Sequence, residues 1–467
     1  MRSLISLVVN FTLFIRAISA QKYVFAHVVV GDTTAHTQAT WASDIALAKA
    51  AAIDAFMLDI AYGDSNVPIQ VGNAFAAAEA ASFKLAFSFD YLGVVSYLNQ
   101  YVSSSAYLFY SSAAFVSTFE GTSNIGDWAQ GGTIRSAVSS SIYFVPDYTS
   151  LGPSGISPYL NDIEGAFSWN IWPEGATNMT DAPDVQWVDA LSPSGKTYMM
   201  GVSPWFFHSA SGGTEWVWRG DDMWADRWEQ TFQVNPQFVE IVTWNDYGES
   251  HYIGPLHDSS EIPTGSAIYD TNNPHDSWRD FLPYYIATYK GNSFNIAHDQ
   301  MQYWYHTSPV AGGSTCGVVG NNPSYQTEVS PNTIVEDAVF FSALLTSAAT
   351  VTVQIGNGPV NSYAGTAGHN HWSLAFGGQT GVPVFCVVRG GATVQCSSNA
   401  APITATTTLS NGCTNYNAWV GSWQNDGSST GSGSTSSSPT TATPTQTSGQ
   451  VCIAGTGPGN YAEVGSR

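Results

Sequence analysis

Asp246 and Glu249 stand three positions apart in the stretch Trp244-Asn245-Asp246-Tyr247-Gly248-Glu249, which directly follows the apolar alternation of Val239 to Thr243. Two carboxyl groups delivered to the mouth of a buried strand can hydrolyse a glycosidic bond. One, held protonated, donates to the leaving oxygen; the other, ionised, serves as base or nucleophile. In an extended chain the two Cα atoms would lie ~10 Å apart, and Gly248 makes a tighter turn easy. Inverting and retaining separations are therefore both within reach. The competing structural reading has Asp246 capping a following helix and Glu249 pairing with His251, with neither doing chemistry.

Other catalytic signatures are missing. Residues 21–425 contain no Gly-x-Ser-x-Gly elbow, and the sequence has no His-Glu-x-x-His helix, no P-loop, no acidic calcium loop, and no Gly-x-Gly-x-x-Gly after an early strand. His369 and His371 lie close together but lack a neighbouring carboxylate or Cys, so they read as a loop. No metal and no cofactor are expected.

The elements that must position the pair are legible as a rhythm. Short β-branched and aromatic runs beginning at Tyr23, Asp54, Lys84, Phe115, Ile142, Gly165, Tyr198 and Phe238 alternate with longer segments. Of these segments, Trp41–Ile53, Gly72–Phe83 and Trp224–Phe232 carry apolar residues at helical spacing. Eight strands with helices between them predict an α/β fold, a (β/α)8 TIM-type barrel over residues 21–305, with less regular connections after the fourth and fifth strands. Polar residues gather where the strands end: Asp59, Asp90, Glu120, Asp147, Asn170, Trp205, Asp246 and Glu249. Active sites of such barrels are built at that end.

Residues 306–425 change to period-two strands broken by Gly and Asn, predicting an all-β sandwich. Four of the five cysteines fall there: Cys386 and Cys396 flank one hairpin, while Cys316 and Cys413 bracket the domain, one pairing among several. Residues 426–450 are Ser, Thr, Gly and Pro, which cannot bury a core and read as a disordered, O-glycosylated linker. Residues 451–467, with Cys452, are too few to fold alone. Residues 1–20 read as a secretory signal peptide, so the chain is expected to be secreted and extracellular. With 13 Lys plus Arg against 35 Asp plus Glu, a net charge of −22 disfavours nucleic acid and anionic membranes as partners. Asn178, in Asn-Met-Thr, is the strong glycosylation sequon beyond residue 20.

Several of these motifs, in order from Lys22 to about Trp304, resemble the fungal α-1,3-glucanases, the mutanases of glycoside hydrolase family 71. They include KYVFAHVVVGDT, IDAFMLDIA, KLAFSFDY, STFEG, GAFSWNIWP, MGVSPWFF and, most specifically, EIVTWNDYGESHYIGP. The resemblance implies a secreted enzyme that cuts α-1,3-glucan of fungal walls or mutan; endo action, no cofactor and a monomeric chain are expected with it. It implies a barrel followed by a β-sandwich, and inversion with Asp246 as base and Glu249 as acid. His27, Asp59, Asp90, Glu120, Trp169 and Asn170 would line the glucan cleft, joined by Trp205, Trp244, Asn245 and Tyr247, with Trp244 and Tyr247 stacking on sugar. The family opening HFMVGN stands here as HVVVGD, which places Asp32 where Asn is usual. The final segment resembles the start of a glucan-binding module that breaks off, which predicts weaker attack on insoluble glucan. Hydrolysis of another α-linked polysaccharide on a related barrel, or an inactive wall glucan-binding protein, are the alternatives.

Overall fold

The computed structural model describes residues 21–61, 65–90, 93–209 and 214–425. The expected signal peptide (1–20), the linker (426–450) and the final segment with Cys452 (451–467) lie outside the described residues. Among the described residues no helix is long and apolar enough to cross a membrane.

Eight parallel strands dominate the first part: β1 (Tyr23–Val29), β2 (Ala55–Ala61), β3 (Lys84–Asp90), β4 (Ala113–Thr118), β5 (Ile142–Phe144), β6 (Gly165–Ser168), β7 (Thr197–Val202) and β8 (Phe238–Ile241). They are the eight strands read from the sequence. Their order in the curled sheet is β5-β4-β3-β2-β1-β8-β7-β6. The two ends meet: Glu164 N donates to Phe144 O at 2.8 Å and Phe167 N to Pro146 O at 2.8 Å. Buried on both faces, the strands read as near-continuous apolar runs, as parallel sheets do.

Helices α1 (Gln38–Ala50), α2 (Val67–Ala81), α3 (Val94–Tyr101), α4 (Ala182–Leu191), α5 (Met223–Val234) and α6 (Leu282–Tyr289) cover the outside. Thr37 starts α1 with a capping box to Thr40, and the helix turns Trp41, Ile45 and Ala48 inward. The links after β4 and β5 contain only short helical turns, such as Ile125–Trp128 and Gly152–Gly155.

Two antiparallel four-stranded sheets follow. The first joins β9 (Gln300–Tyr305), β10 (Ala338–Leu345), β13 (Gly368–Ala375) and β16 (Trp419–Gln424). The second joins β11 (Ala349–Ile355), β12 (Asn361–Gly365), β14 (Pro383–Arg389) and β15 (Ala392–Cys396). The boundary expected at residue 306 therefore moves forward, because β9 pairs with β10 and β16. Its alternation explains why: Met301, Tyr303 and Tyr305 enter the core between the two sheets, whereas Trp304 joins the core shared with the first domain. Disulfides link Cys316 to Cys413 and Cys386 to Cys396, the latter pair in direct register between β14 and β15.

The two parts are packed through one continuous core that runs from Trp41 and Trp205 to Trp304, Phe340 and Tyr416. Polar ties cross the same boundary: Trp205 Nε1 to Tyr416 O at 2.8 Å, Trp304 Nε1 to Asp221 O at 2.7 Å, and Asn273 Nδ2 to Ala418 O at 3.0 Å.

Candidate active site

Alternate side chains of each strand point into the curled sheet. At its lower end they are apolar, with Phe25, Met57, Phe115, Val145, Phe167 and Phe238 in one buried cluster. Two residues further along the same strands, period-two geometry brings His27, Asp59, Ser117, Asp147, Trp169 and Glu240 to the inner face. The floor is apolar and the upper end is ionisable.

The loop after β8 carries the pair. The Val242–Thr243 peptide is cis. Asp246 N donates to Thr243 Oγ1 at 2.9 Å, and Glu249 N donates to Asp246 Oδ1 at 3.0 Å, closing a tight turn. Gly254 lets the returning chain lie on Trp244, since a Cβ there would sit 2.6 Å from the Trp244 carbonyl oxygen. The carboxyl side chains of Asp246 and Glu249 are 23% and 27% exposed, so both reach the opening.

Between them lies His251, fully buried. Its Nδ1 meets Thr243 Oγ1 at 3.0 Å, and its Nε2 is 2.7 Å from Glu249 Oε2 and 3.9 Å from Asp246 Oδ2. Trp172 stacks on the ring at a centroid distance of 5.5 Å. Burial pushes this imidazole down to about 4, so it is neutral over most of the acidic range and acts as a hydrogen-bonding partner. Burial, and then the charge of Glu249, pushes Asp246 up to about 6. The pairing of Glu249 with His251, foreseen only as a structural alternative, is present alongside two accessible carboxyls. Asp246 caps no helix.

One ligand atom from each of Asp246, Glu249 and His251 falls within a 4.8 Å set. A divalent cation could use those donors, but hydrolysis by a carboxyl pair needs none. The nearest oxygens of the pair are thus closer than the ~6.5–9.5 Å typical of inverting enzymes. An inverting water would have to use the outer oxygen of one carboxyl rather than the gap between the facing ones.

Other expected positions divide into two groups. Asp59, its side chain 17% exposed, approaches His27 at 4.0 Å, and His27 Nδ1 lies 2.7 Å from Glu240 Oε1. Asp90 is exposed at the end of β3, and Asn170 is exposed after β6. Trp169 is half-buried, edge-on to His27 at 5.1 Å and to Phe119 at 4.9 Å. Glu120 is buried, its oxygens taking hydrogen bonds from Ser150 N at 2.7 Å and Ser150 Oγ at 2.6 Å. Asp147 beneath it accepts from Thr149 N at 3.0 Å, and burial followed by the charge of Glu120 pushes it up to about 8.

His27 and Glu120, 2% and 3% exposed, lie under the opening instead of lining the cleft as expected, and four further expectations are corrected. Trp205 is fully buried, donating to Tyr416 O. Trp244 is 1% exposed and donates to Asp44 Oδ2 at 3.0 Å, and Tyr247 is fully buried with its hydroxyl on Pro255 O at 2.9 Å. None of these three rings can stack on a sugar in this arrangement. Asn245 is buried and clasps the Val29 backbone, accepting from its N at 2.9 Å and donating to its O at 2.9 Å. All four are framework that holds the loop.

Glu240 and Thr243 were not singled out from the sequence. Counting by two from the apolar Phe238 would have placed Glu240 inside the sheet. A second titratable cluster, His36, Asp44, His257 and Glu261, ties α1 to the segment after the loop. His36 lies 2.7 Å from Glu261 and 3.3 Å from Asp44, and His257 lies 2.9 Å from Asp44. Asp44 and His36 are thereby saturated by protein partners, as in a structural ion network. Asp32 sits in the single turn Val30–Asp32 that leads from β1 towards this network.

A sheet of parallel strands opening onto paired carboxyls has the groups that hydrolysis of a sugar linkage needs. Residues 20–432 match the model of glycosyl hydrolase family 71, and the chain belongs to that family; it is a glycoside hydrolase. It is 34% identical over 432 residues to a mutanase of Penicillium rubens, covering 88% of this chain and 91% of that one. It is 31% identical over 441 residues to the glucan endo-1,3-alpha-glucosidase agn1 of Schizosaccharomyces pombe, covering 90% and 99%. Among solved structures, an endo-alpha-mannosidase of family GH99 from Bacteroides thetaiotaomicron aligns with a TM-score of 0.43 at 14% identity, covering 58% of this chain and 99% of that one. A likeness this distant carries no argument.

Proposed function

We propose that this chain is a secreted, monomeric, endo-acting hydrolase of α-1,3-glucan, working without cofactor on a closed (β/α)8 barrel with an accessory β-sandwich. The substrate follows from the names of the two relatives, each covered over nearly its whole length. The observation that carries the site is the turn in which the Glu249 amide grips Asp246 while His251 grips Glu249, leaving both carboxyls accessible. Trp169 and the exposed Asp90 and Asn170 supply the glucan-facing rim.

In this reading Glu249 donates the proton to the leaving oxygen, and Asp246 activates a water through its outer oxygen, giving inversion. Asp246 must be ionised for that role, which requires a pH near or above its value of about 6. That same value favours a second assignment, in which Asp246 is the protonated acid. Two substrates decide between them: α-1,3-glucan, and an α-1,3-linked glucosyl fluoride, whose leaving group needs no proton donor. Glu249→Ala is expected to lose glucan cleavage but keep fluoride release, whereas Asp246→Ala loses both. The opposite result would exchange the roles. Full activity of both variants, or cleavage of α-1,4-glucan in place of α-1,3-glucan by the parent, would reject the function. NMR of the first-formed anomer reads the stereochemistry.

A further inference from the structure

Beneath the reacting pair, inside the curled sheet, lies a buried carboxylate for which the hydrolysis described above has no use. Glu240 is 1% exposed in β8, level with Phe25 of β1 and Gly201 of β7. A carboxyl group in such a place is costly unless it is paired and hydrogen-bonded. Its Oε1 meets His27 Nδ1 at 2.7 Å, while its Oε2 has no hydrogen-bond partner. His27 is itself 2% exposed and turns its other nitrogen, Nε2, toward Asp59 Oδ2 at 4.0 Å. Asp59 Oδ1 is also buried without a partner. Three ionisable groups from β8, β1 and β2 thus form a line that climbs from the sheet interior to the opening.

We infer that Glu240 is a positioning residue for the reaction: it fixes the His27 ring by Nδ1 and keeps Nε2 aimed at Asp59, the carboxyl of β2 that reaches the opening. This rests on the assignment of Asp246 and Glu249 as the reacting pair.

The electrostatics run in the same direction as the geometry. Burial opposes a charged His27, but the hydrogen bond and charge of Glu240, with Asp59 and Asp246, outweigh it and raise the ring above its ordinary range. Burial pushes Asp59 up to about 7; His27 pulls it down, while Asp90, Glu240 and Asp246 push it further up. Against burial and the charge of Glu249, Asp246 is drawn down by His251, by the Glu249 amide and, least, by His27. Trp169 packs edge-on against the His27 ring at a centroid distance of 5.1 Å. Without the Glu240 charge, His27 would discharge and Asp246 would hold its proton to higher pH.

The test uses Glu240→Gln in the whole chain, which keeps the shape and a hydrogen-bonding oxygen but removes the charge. Imidazole 15N shifts of His27 are followed against pH, together with kcat/KM on α-1,3-glucan. In the parent, His27 is expected to remain doubly protonated above its ordinary titration range. In Glu240→Gln it should become neutral within that range, and the acid limb of kcat/KM should move up by about 0.5 to 1 unit. A folded variant with an unchanged limb and an unchanged His27 titration would overturn the inference. So would a neutral His27 in the parent at mildly acidic pH, a measurement that needs no variant to fold. If the parent does not cleave α-1,3-glucan, the substrate reading fails, yet the His27 titration still judges the Glu240 assignment.

Discussion

Replacing Asp246 with Asn is expected to abolish catalysis and, at neutral pH, to make the protein more stable. The folded protein raises this carboxyl from 3.8 to about 6. Its neutral form is therefore favoured by folding, and the stability it contributes is fully present below 3.8 and lost as pH rises through about 6. At ~1.36 kcal/mol per unit, the ionised group above that range costs roughly 3 kcal/mol relative to its neutral form. The side chain is 23% exposed, so solvent moderates the figure only modestly. Asn is neutral at every pH, and its side-chain oxygen can still accept from Glu249 N. Thermal unfolding of parent and Asp246→Asn at a pH well above 6 and at one below 3.8 is the assay, with reducing-end release from α-1,3-glucan measured in parallel. The variant should melt several degrees higher at the upper pH, match the parent at the lower, and lose ~10²-fold or more in kcat. Equal melting at the upper pH, or the same gain at both, would refute the reasoning, since the gain must track ionisation of Asp246.

Burial separates the two tryptophans expected in the cleft. Trp169→Ala should raise KM for glucan several-fold with little change in melting temperature, whereas Trp205→Ala should cost ~3–5 kcal/mol of stability, measured by denaturant unfolding. The two disulfides should also differ. Cys316–Cys413 spans 97 positions and Cys386–Cys396 only 10, so Cys316→Ser is expected to destabilise by about 2 kcal/mol more than Cys386→Ser on loop entropy, read from unfolding under non-reducing conditions.

The strands were legible because parallel strands buried on both faces leave unbroken apolar runs, and because the change from Phe238 to Asp246 within one segment is too abrupt for anything but a strand mouth. Less could be read once the chain left regular structure. Trp205, Trp244 and Tyr247 follow strand ends three to six residues on, where Trp169 follows by one, and they turn away from the opening. A side chain beyond the last period-two residue can face any of three cores, and composition does not say which. Glu240 was overlooked for the opposite reason. It lies inside a run whose apolar neighbours mark it as interior, and its chemistry depends on His27, 213 positions away. The first strand of the second sheet region, Gln300–Tyr305, falls within the span expected for the barrel, and only its pairing with β10 and β16 identifies it.

The contact between Trp205 and Tyr416 bears on how this chain can be cut and recombined. From the Tyr416 carbonyl the path runs to Trp205 Nε1, from the Trp205 carbonyl to Trp172 Nε1 at 3.1 Å, and from the Trp172 ring to His251 and so to Glu249. The C-terminal domain thus acts as a brace whose far end touches a candidate reacting carboxyl. A shortened enzyme ending near residue 305 would lose that brace as well as the partner of a fully buried tryptophan. Chimeras between family members should therefore exchange both domains together, because the working unit of this hydrolase is the pair.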